Sequence, residues 1–282
     1  MCRQFDSVPG HLAFAFVAAV AVAGCGEGQP GAIAVSGTVV DGQRFLFARL
    51  GRLAELTGEG STGPCYTEPC DGSAAVVLAA VVGASVSVDE RPETPAAISG
   101  AAGEFALGPV PAGERLHLAV SAPAACDSRD GLGLQFPESD VAGYPVGLLP
   151  TDGFLAALAA DARAPAADLG LVVFLLMDAA PFPDSAILDD AVTVELSRGG
   201  GRVVYGGWDG PARRFVLAGA PRGFHAPAFF TGLVAVVRPE DGTQIAITDR
   251  APPAGRRPAY FLRYTARPQT GRCVFYFLRA LG

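Results

Sequence analysis

Gly83 to Pro123 reads GASVSVDERPETPAAISGAAGEFALGPVPAGERLHLAVSAP, and the fold follows from its periodicity. Ala84, Val86 and Val88 alternate with Ser85, Ser87 and Asp89, the period-2 pattern of a half-buried strand. Phe105 and Leu107 repeat it, Pro109 to Gly113 turns the chain, and Leu116, Leu118 and Val120 form the next strand. His117 points away from those leucines and is expected to face solvent.

A shorter version returns about a hundred residues later. Phe215-Val216-Leu217 precedes Pro221-Arg222-Gly223 at the spacing of Phe105-Ala106-Leu107 and Pro111-Ala112-Gly113, so both copies read F-x-L-x-x-x-P-x-G. Each follows a V-x-V strand and precedes another, here Leu233 to Val237. Gly83 to Val88, Gly103 to Leu107, Pro111 to Gly113 and Leu116 to Ser121 together resemble the carboxypeptidase regulatory-like domains. Those are small β-sandwiches of transthyretin (prealbumin-like) architecture. The chain departs from that pattern by inserting about forty residues between its opening strand and Gly83. The resemblance implies an all-β chain of two tandem Greek-key sandwiches with one short connecting helix, and it is nearly silent on function.

The expected organisation is a signal peptide at 1–24, a tether at 25–31, a first sandwich at 32–124, a linker at 125–168 and a second sandwich at 169–282. Ala32 to Val40 opens the first sandwich, closed by the turn signal Asp41-Gly42. Phe45 to Leu56 fits a strand or a short helix, and Ala75 to Val82 reads as a strand buried on both faces. In the linker, 127–151 joins units or adds an edge strand. Residues 152–162, DGFLAALAADA, predict a helix capped by Thr151, with Phe154, Leu155 and Leu158 facing a sheet and Pro165 ending it. Leu169 to Met177 is a buried strand.

Upstream, Leu12 to Ala23 is an apolar run of 12 residues, short against the roughly 20 needed to cross a bilayer and suited to the core of an export signal. Val22-Ala23-Gly24-Cys25 resembles the lipobox of bacterial lipoproteins. That resemblance implies cleavage before Cys25 and lipid modification of that cysteine. Gly26 in place of Asp implies the outer membrane, so the expected partner is a membrane surface reached through the anchor. In that oxidising compartment Cys65, Cys70, Cys126 and Cys273 admit three pairings. A local Cys65–Cys70 bridge is the simplest, which leaves Cys126 with Cys273. The rival is a metal site, but zinc would want a CxxC pair or nearby histidines.

The 282 residues include 21 Arg and Lys, every one of them arginine, and carry a net charge of −7. That balance argues against a nucleic-acid partner. Half the residues are hydrophobic, enough to pack sizeable cores. Intradiol dioxygenases share the transthyretin-like resemblance and bind iron with two Tyr and two His, but His117 and His225 form no H-x-H pair. No GxSxG, HExxH or Walker motif occurs. Asp189-Asp190 is read as a solvated turn rather than a calcium site. No cofactor, metal or catalytic residue is expected. Candidate ligand contacts are the aromatics of the second half, Tyr205, Trp208, Phe229 and Phe230, with Phe224 beside them. The expected function is a non-enzymatic envelope lipoprotein, a binding or structural module with a protein or glycan partner. The alternative is a carbohydrate-binding accessory protein using those aromatics.

Overall fold

The alternation of the opening stretch is realised at its buried positions, although the strand from Glu104 runs on to Pro111 instead of turning at Pro109. A computed structural model describes residues 31–49, 53–58, 73–177, 192–219, 229–249, 261–266 and 272–279, within one compact unit, Gly31–Gly282. The first strands are β1 (Ala32–Asp41), β2 (Ser85–Val88), β3 (Ala97–Ile98), β4 (Glu104–Pro111), β5 (Leu118–Ser121), β6 (Ser128–Asp130) and β7 (Val141–Leu148). The rest are β8 (Leu171–Met177), β9 (Val192–Ser197), β10 (Arg202–Asp209), β11 (Arg214–Ala218), β12 (Phe229–Val237), β13 (Gln244–Asp249), β14 (Phe261–Thr265) and β15 (Cys273–Arg279). Among the described residues four α-helices accompany them: α1 (Gly42–Arg49), α2 (Leu53–Thr57), α3 (Ser73–Leu78) and α4 (Gly153–Ala162).

The protein is all-β, two tandem sandwiches that share one sheet. Nine strands run in the order β11-β10-β12-β8-β15-β6-β5-β2-β3, flanked by three-stranded sheets β4-β1-β7 and β14-β13-β9. In the first half Val86, Val88, Leu118 and Val120 of the long sheet meet Val35, Phe105, Leu107 and Val146 of β4-β1-β7 in one core. In the second, Phe174, Val236, Val274 and Tyr276 meet Val194, Ile245 and Ile247 of β14-β13-β9. The halves join at β15, which pairs in parallel with β8 along its whole length and with β6 over Cys273, Val274 and Phe275.

The second half of the long sheet has a further layer. Leu171, Val173 and Leu175 face α1, α3 and α4, while Val172, Phe174 and Leu176 face the sandwich. A strand covered on both faces needs no polar alternation, hence the unbroken apolar run over 169–177. On α4, Phe154, Leu155 and Leu158 are fully buried as expected, and the Phe154 ring lies where a Cβ on Gly206 of β10 would be. Arg163, in the left-handed region at φ 51°, ends the helix before Pro165.

Several expectations change. Ala75 to Val82 begins as α3, because Ala75 and Ala79, one helical turn apart, bury completely while Val77 is exposed. An apolar run with one buried face is a helix signature that composition alone hides. Asp41-Gly42 does not turn a hairpin. Asp41 Oδ1 accepts the N–H groups of Gln43 (2.8 Å) and Arg44 (3.0 Å), so it starts α1. The segment 125–168 supplies α4, but it also gives β6 to the long sheet and β7 to the first sandwich, parallel to β1. The cap of α4 is not Thr151, whose hydroxyl donates to Ala124 O.

The repeated F-x-L motif occupies two different places. Phe105 lies on β4, in a small sheet, and points into the first sandwich. Phe215 lies on β11, the edge of the long sheet, and packs toward the helices. The V-x-V strands differ too: β2 pairs with β5, whereas β9 pairs with β13 in the opposite layer from β12. Both motifs record the needs of a half-covered strand, and the described strands around them pair differently.

Candidate functional site

A cavity of about 630 Å³ opens where α1, α2, the start of α4 and the β10–β11 hairpin converge. Asp41 and Arg44 enter it from the start of α1, and Asp152 from the N-cap of α4. Arg213 and Arg214 enter from the hairpin, with Leu56, Trp208 and Phe215 forming the apolar wall. Burial pushes the Asp41 carboxyl up to about 6. The N–H groups of Arg44 and Gln43 and the Arg44 charge oppose that rise, and the neighbouring Asp152 adds to it.

Two local structures shape this lining. Asp152 holds the N-cap position of α4 in extended conformation, yet its side chain makes no capping bond. The bond to Phe154 N–H comes instead from Gln43 Oε1 at 2.6 Å. Arg213 sits at φ 49°, in the left-handed region that favours glycine, with its N–H donating to Gly210 O (3.2 Å). Asp209 Oδ1 fixes the same turn by accepting Ala212 N–H at 3.0 Å.

A second polar cluster lies at the seam between the halves. Arg272 Nη1 is 2.6 Å from Asp89 Oδ1, and Arg129 Nε is 2.9 Å from Asp89 Oδ2. Arg129 Nη2 reaches Glu90 Oε1 at 2.8 Å, and His117 Nδ1 lies 2.5 Å from the same oxygen. Burial raises the Glu90 carboxyl, but the His117 N–H, the His117 ring and Arg129 outweigh it and hold the carboxyl below its usual value. His117 is therefore not a solvent-facing residue; it ends a ladder of opposite charges joining β2, β5, β6 and the approach to β15. Beside it Asp130, raised by burial, accepts the Tyr144 hydroxyl, the Leu132 N–H (3.0 Å) and the Gly133 N–H (3.1 Å).

Of the residues singled out in the sequence, Cys126 and Cys273 form a disulfide. Cys25, Cys65, Cys70, Asp189, Asp190, Phe224 and His225 lie outside the described residues. Tyr205 and Trp208 are not exposed aromatics. Tyr205 is 2% exposed in the second core, its hydroxyl accepting Val194 N–H at 2.9 Å. Trp208 is 5% exposed and packs edge-to-face on Phe47 (5.2 Å) and Phe215 (5.1 Å), so only part of its ring reaches the cavity. The backbones of Phe229 and Phe230 begin β12, opposite Asp209 and Trp208. Arg213 and Arg214 are not among the residues expected from the sequence, and Asp41 was expected in a turn; an Arg-Arg pair closing a short hairpin is the local signal of this cavity. Among the described residues no group of three or more His, Cys, Asp or Glu is disposed to hold a metal ion, and no helix is long and apolar enough to cross a membrane.

No family model and no curated protein matches the chain. Among solved structures, the Bacillus anthracis TIE protein is 8% identical at a TM-score of 0.22, over 89% of this chain. The chain spans 34% of that protein's length. The shaft pilin SpaA from Lactobacillus rhamnosus GG is 10% identical at a TM-score of 0.21, covering 90% of this chain and 99% of the pilin. GBS52, the minor pilin of Streptococcus agalactiae, is 7% identical at 0.19, covering 88% and 95%. Likeness at this level carries no argument about topology, partners or activity here.

Proposed function

We propose that the chain is a non-enzymatic lipoprotein of the cell envelope, held at the outer membrane by acyl chains on Cys25 and serving as a binding or structural module. The observation that carries this reading is the placement of Val22-Ala23-Gly24-Cys25 directly after the apolar run 12–23 and shortly before β1 opens at Ala32. Residues 26–31 span about 20 Å when extended, so the sandwiches would stay close to the bilayer. Each buried acyl methylene contributes about 0.8 kcal/mol, and more than one chain makes the anchor lasting. The shared sheet and the Cys126–Cys273 bond support a structural role, because they tie both sandwiches into one body.

The carbohydrate reading rested on exposed aromatics, and with Tyr205 and Trp208 in the cores it keeps no support from them. The anchor is tested by metabolic labelling with a radioactive fatty acid. Label is expected in the wild-type chain and absent from Cys25→Ala; equal label in both would refute the anchor.

A further inference from the structure

The cavity beside α1 gathers Asp41, which starts the helix, with charges that the fold leaves unused. Asp152 stands where an aspartate usually caps a helix, but Gln43 has taken the capping bond, and the Asp152 carboxylate is left exposed at the cavity. On the hairpin, consecutive side chains of an extended strand point to opposite faces. The left-handed turn at Arg213 breaks that alternation, so Arg213 and Arg214 both line the same space. Among the described residues neither guanidinium is held in an ion pair. A non-glycine residue in this conformation is strained. Cationic and anionic groups thus reach one cavity from separate elements, beside an apolar wall.

We propose that this cavity binds a small zwitterion of the amino-acid or short-peptide class. Arg213 and Arg214 take its carboxylate in a forked, charge-assisted contact, the geometry in which guanidinium outperforms ammonium. Asp152 and Asp41 take its ammonium, and Phe215 with the accessible part of the Trp208 ring covers its side chain. A simple anion would meet two carboxylates in the same space, and a simple cation three guanidinia. A molecule carrying both charges satisfies each set. The volume of about 630 Å³ suits a ligand of that size. This site does not depend on acylation of Cys25.

Trp208 is the single tryptophan of the chain, so its emission reports on the cavity directly. The full chain in detergent is titrated with the dipeptide Ala-Leu, followed by fluorescence and by calorimetry. The comparison probes are N-acetyl-leucine, which lacks the ammonium, leucinamide, which lacks the carboxylate, and inorganic phosphate. Saturable binding of Ala-Leu is expected, at least tenfold tighter than any of the three. Arg213→Gln with Arg214→Gln is expected to weaken it at least tenfold. Asp152→Asn, at an exposed position that makes no capping bond, does the same without touching the packing. No binding of Ala-Leu by either method up to about 10 mM would overturn the proposal. So would equal binding of N-acetyl-leucine or phosphate, or undiminished binding in Asp152→Asn.

Discussion

Gln43 of α1 reaches Phe154 of α4, its Oε1 accepting the backbone N–H at 2.6 Å across 111 residues of sequence. This contact does what a local cap would do for α4, and it pins two helices of the outer layer to each other. Gln43 is 4% exposed, so its loss leaves a buried donor without a partner. Gln43→Leu is expected to lower stability by about 1–3 kcal/mol in urea titration. Gly153, at φ +61°, has its missing Cβ where Gln43 Oε1 sits, so Gly153→Ala should cost at least as much through strain and collision. Wild-type stability in Gln43→Leu would show that water replaces the cap.

The Cys126–Cys273 bond closes a sequence separation of 147 residues. In the chain-entropy account a loop of that length is worth about 4–5 kcal/mol, less whatever structure the unfolded chain retains. Cys126→Ala with Cys273→Ala should therefore lower Tm by several degrees, and added reductant should do nothing further to the variant at this bond. A variant that melts with the wild type would mean that β15 is held by its pairing alone.

Phe105 and Phe215 occupy the same place in the repeated motif but different surroundings. Phe105 is 4% exposed within the first core, and Phe105→Ala should cost about 3–5 kcal/mol. Phe215 is only half-buried, so Phe215→Ala should cost clearly less. It should also shift Trp208 emission to the red, since it strips one of the two rings packed on the indole. Equal losses in the two variants would restore the view that the copies are structurally equivalent.

Asp41 gives the fold a pH dependence of definite sign. Its folded carboxyl titrates at about 6, above the ordinary value of 3.8. The folded chain therefore binds the proton more tightly, and Asp41 favours folding below about pH 4 and loses that advantage as pH rises through 6. The loss is on the order of 2 kcal/mol, allowing for solvent at the cavity mouth. Asp41→Asn keeps a side-chain oxygen for the cap of α1 and removes the titration. Its stability relative to wild type should rise between pH 4 and pH 7, measured by thermal melts across that range; a flat difference would assign the proton elsewhere.

The strands were legible wherever a single face is buried. Val86, Val88, Phe105, Leu107, Leu118 and Val120 alternate with polar or small neighbours, and each proved to be core. The Cys126–Cys273 pair was legible by pairing off the neighbouring cysteines. What stayed hidden depends on contacts made far along the chain. Nothing near Ala75 announces that α1 will cover one side of it, and nothing near Trp208 announces Phe47. His117 reads locally as a surface residue because its partner Glu90, 27 positions upstream, and the Arg129 and Arg272 guanidinia beyond it meet only in the folded sheet. The cavity was invisible for the same reason: a carboxylate released from capping by a distant glutamine has no local signature.

The position of β15 in the long sheet has a consequence for how the protein comes to be made. The strand that joins the halves, lying between β8 and β6, is the last of the described strands in chain order. As the polypeptide emerges from synthesis or export, the strands before it arrive while the slot at the centre of the sheet is empty. The facing edges of β6 and β8 then stay open to any other extended chain. Folding cannot run to completion from one end, and a chain stalled before Cys273 would be left with its middle unzipped. Such a chain is a natural client for holding chaperones and a preferred target for degradation.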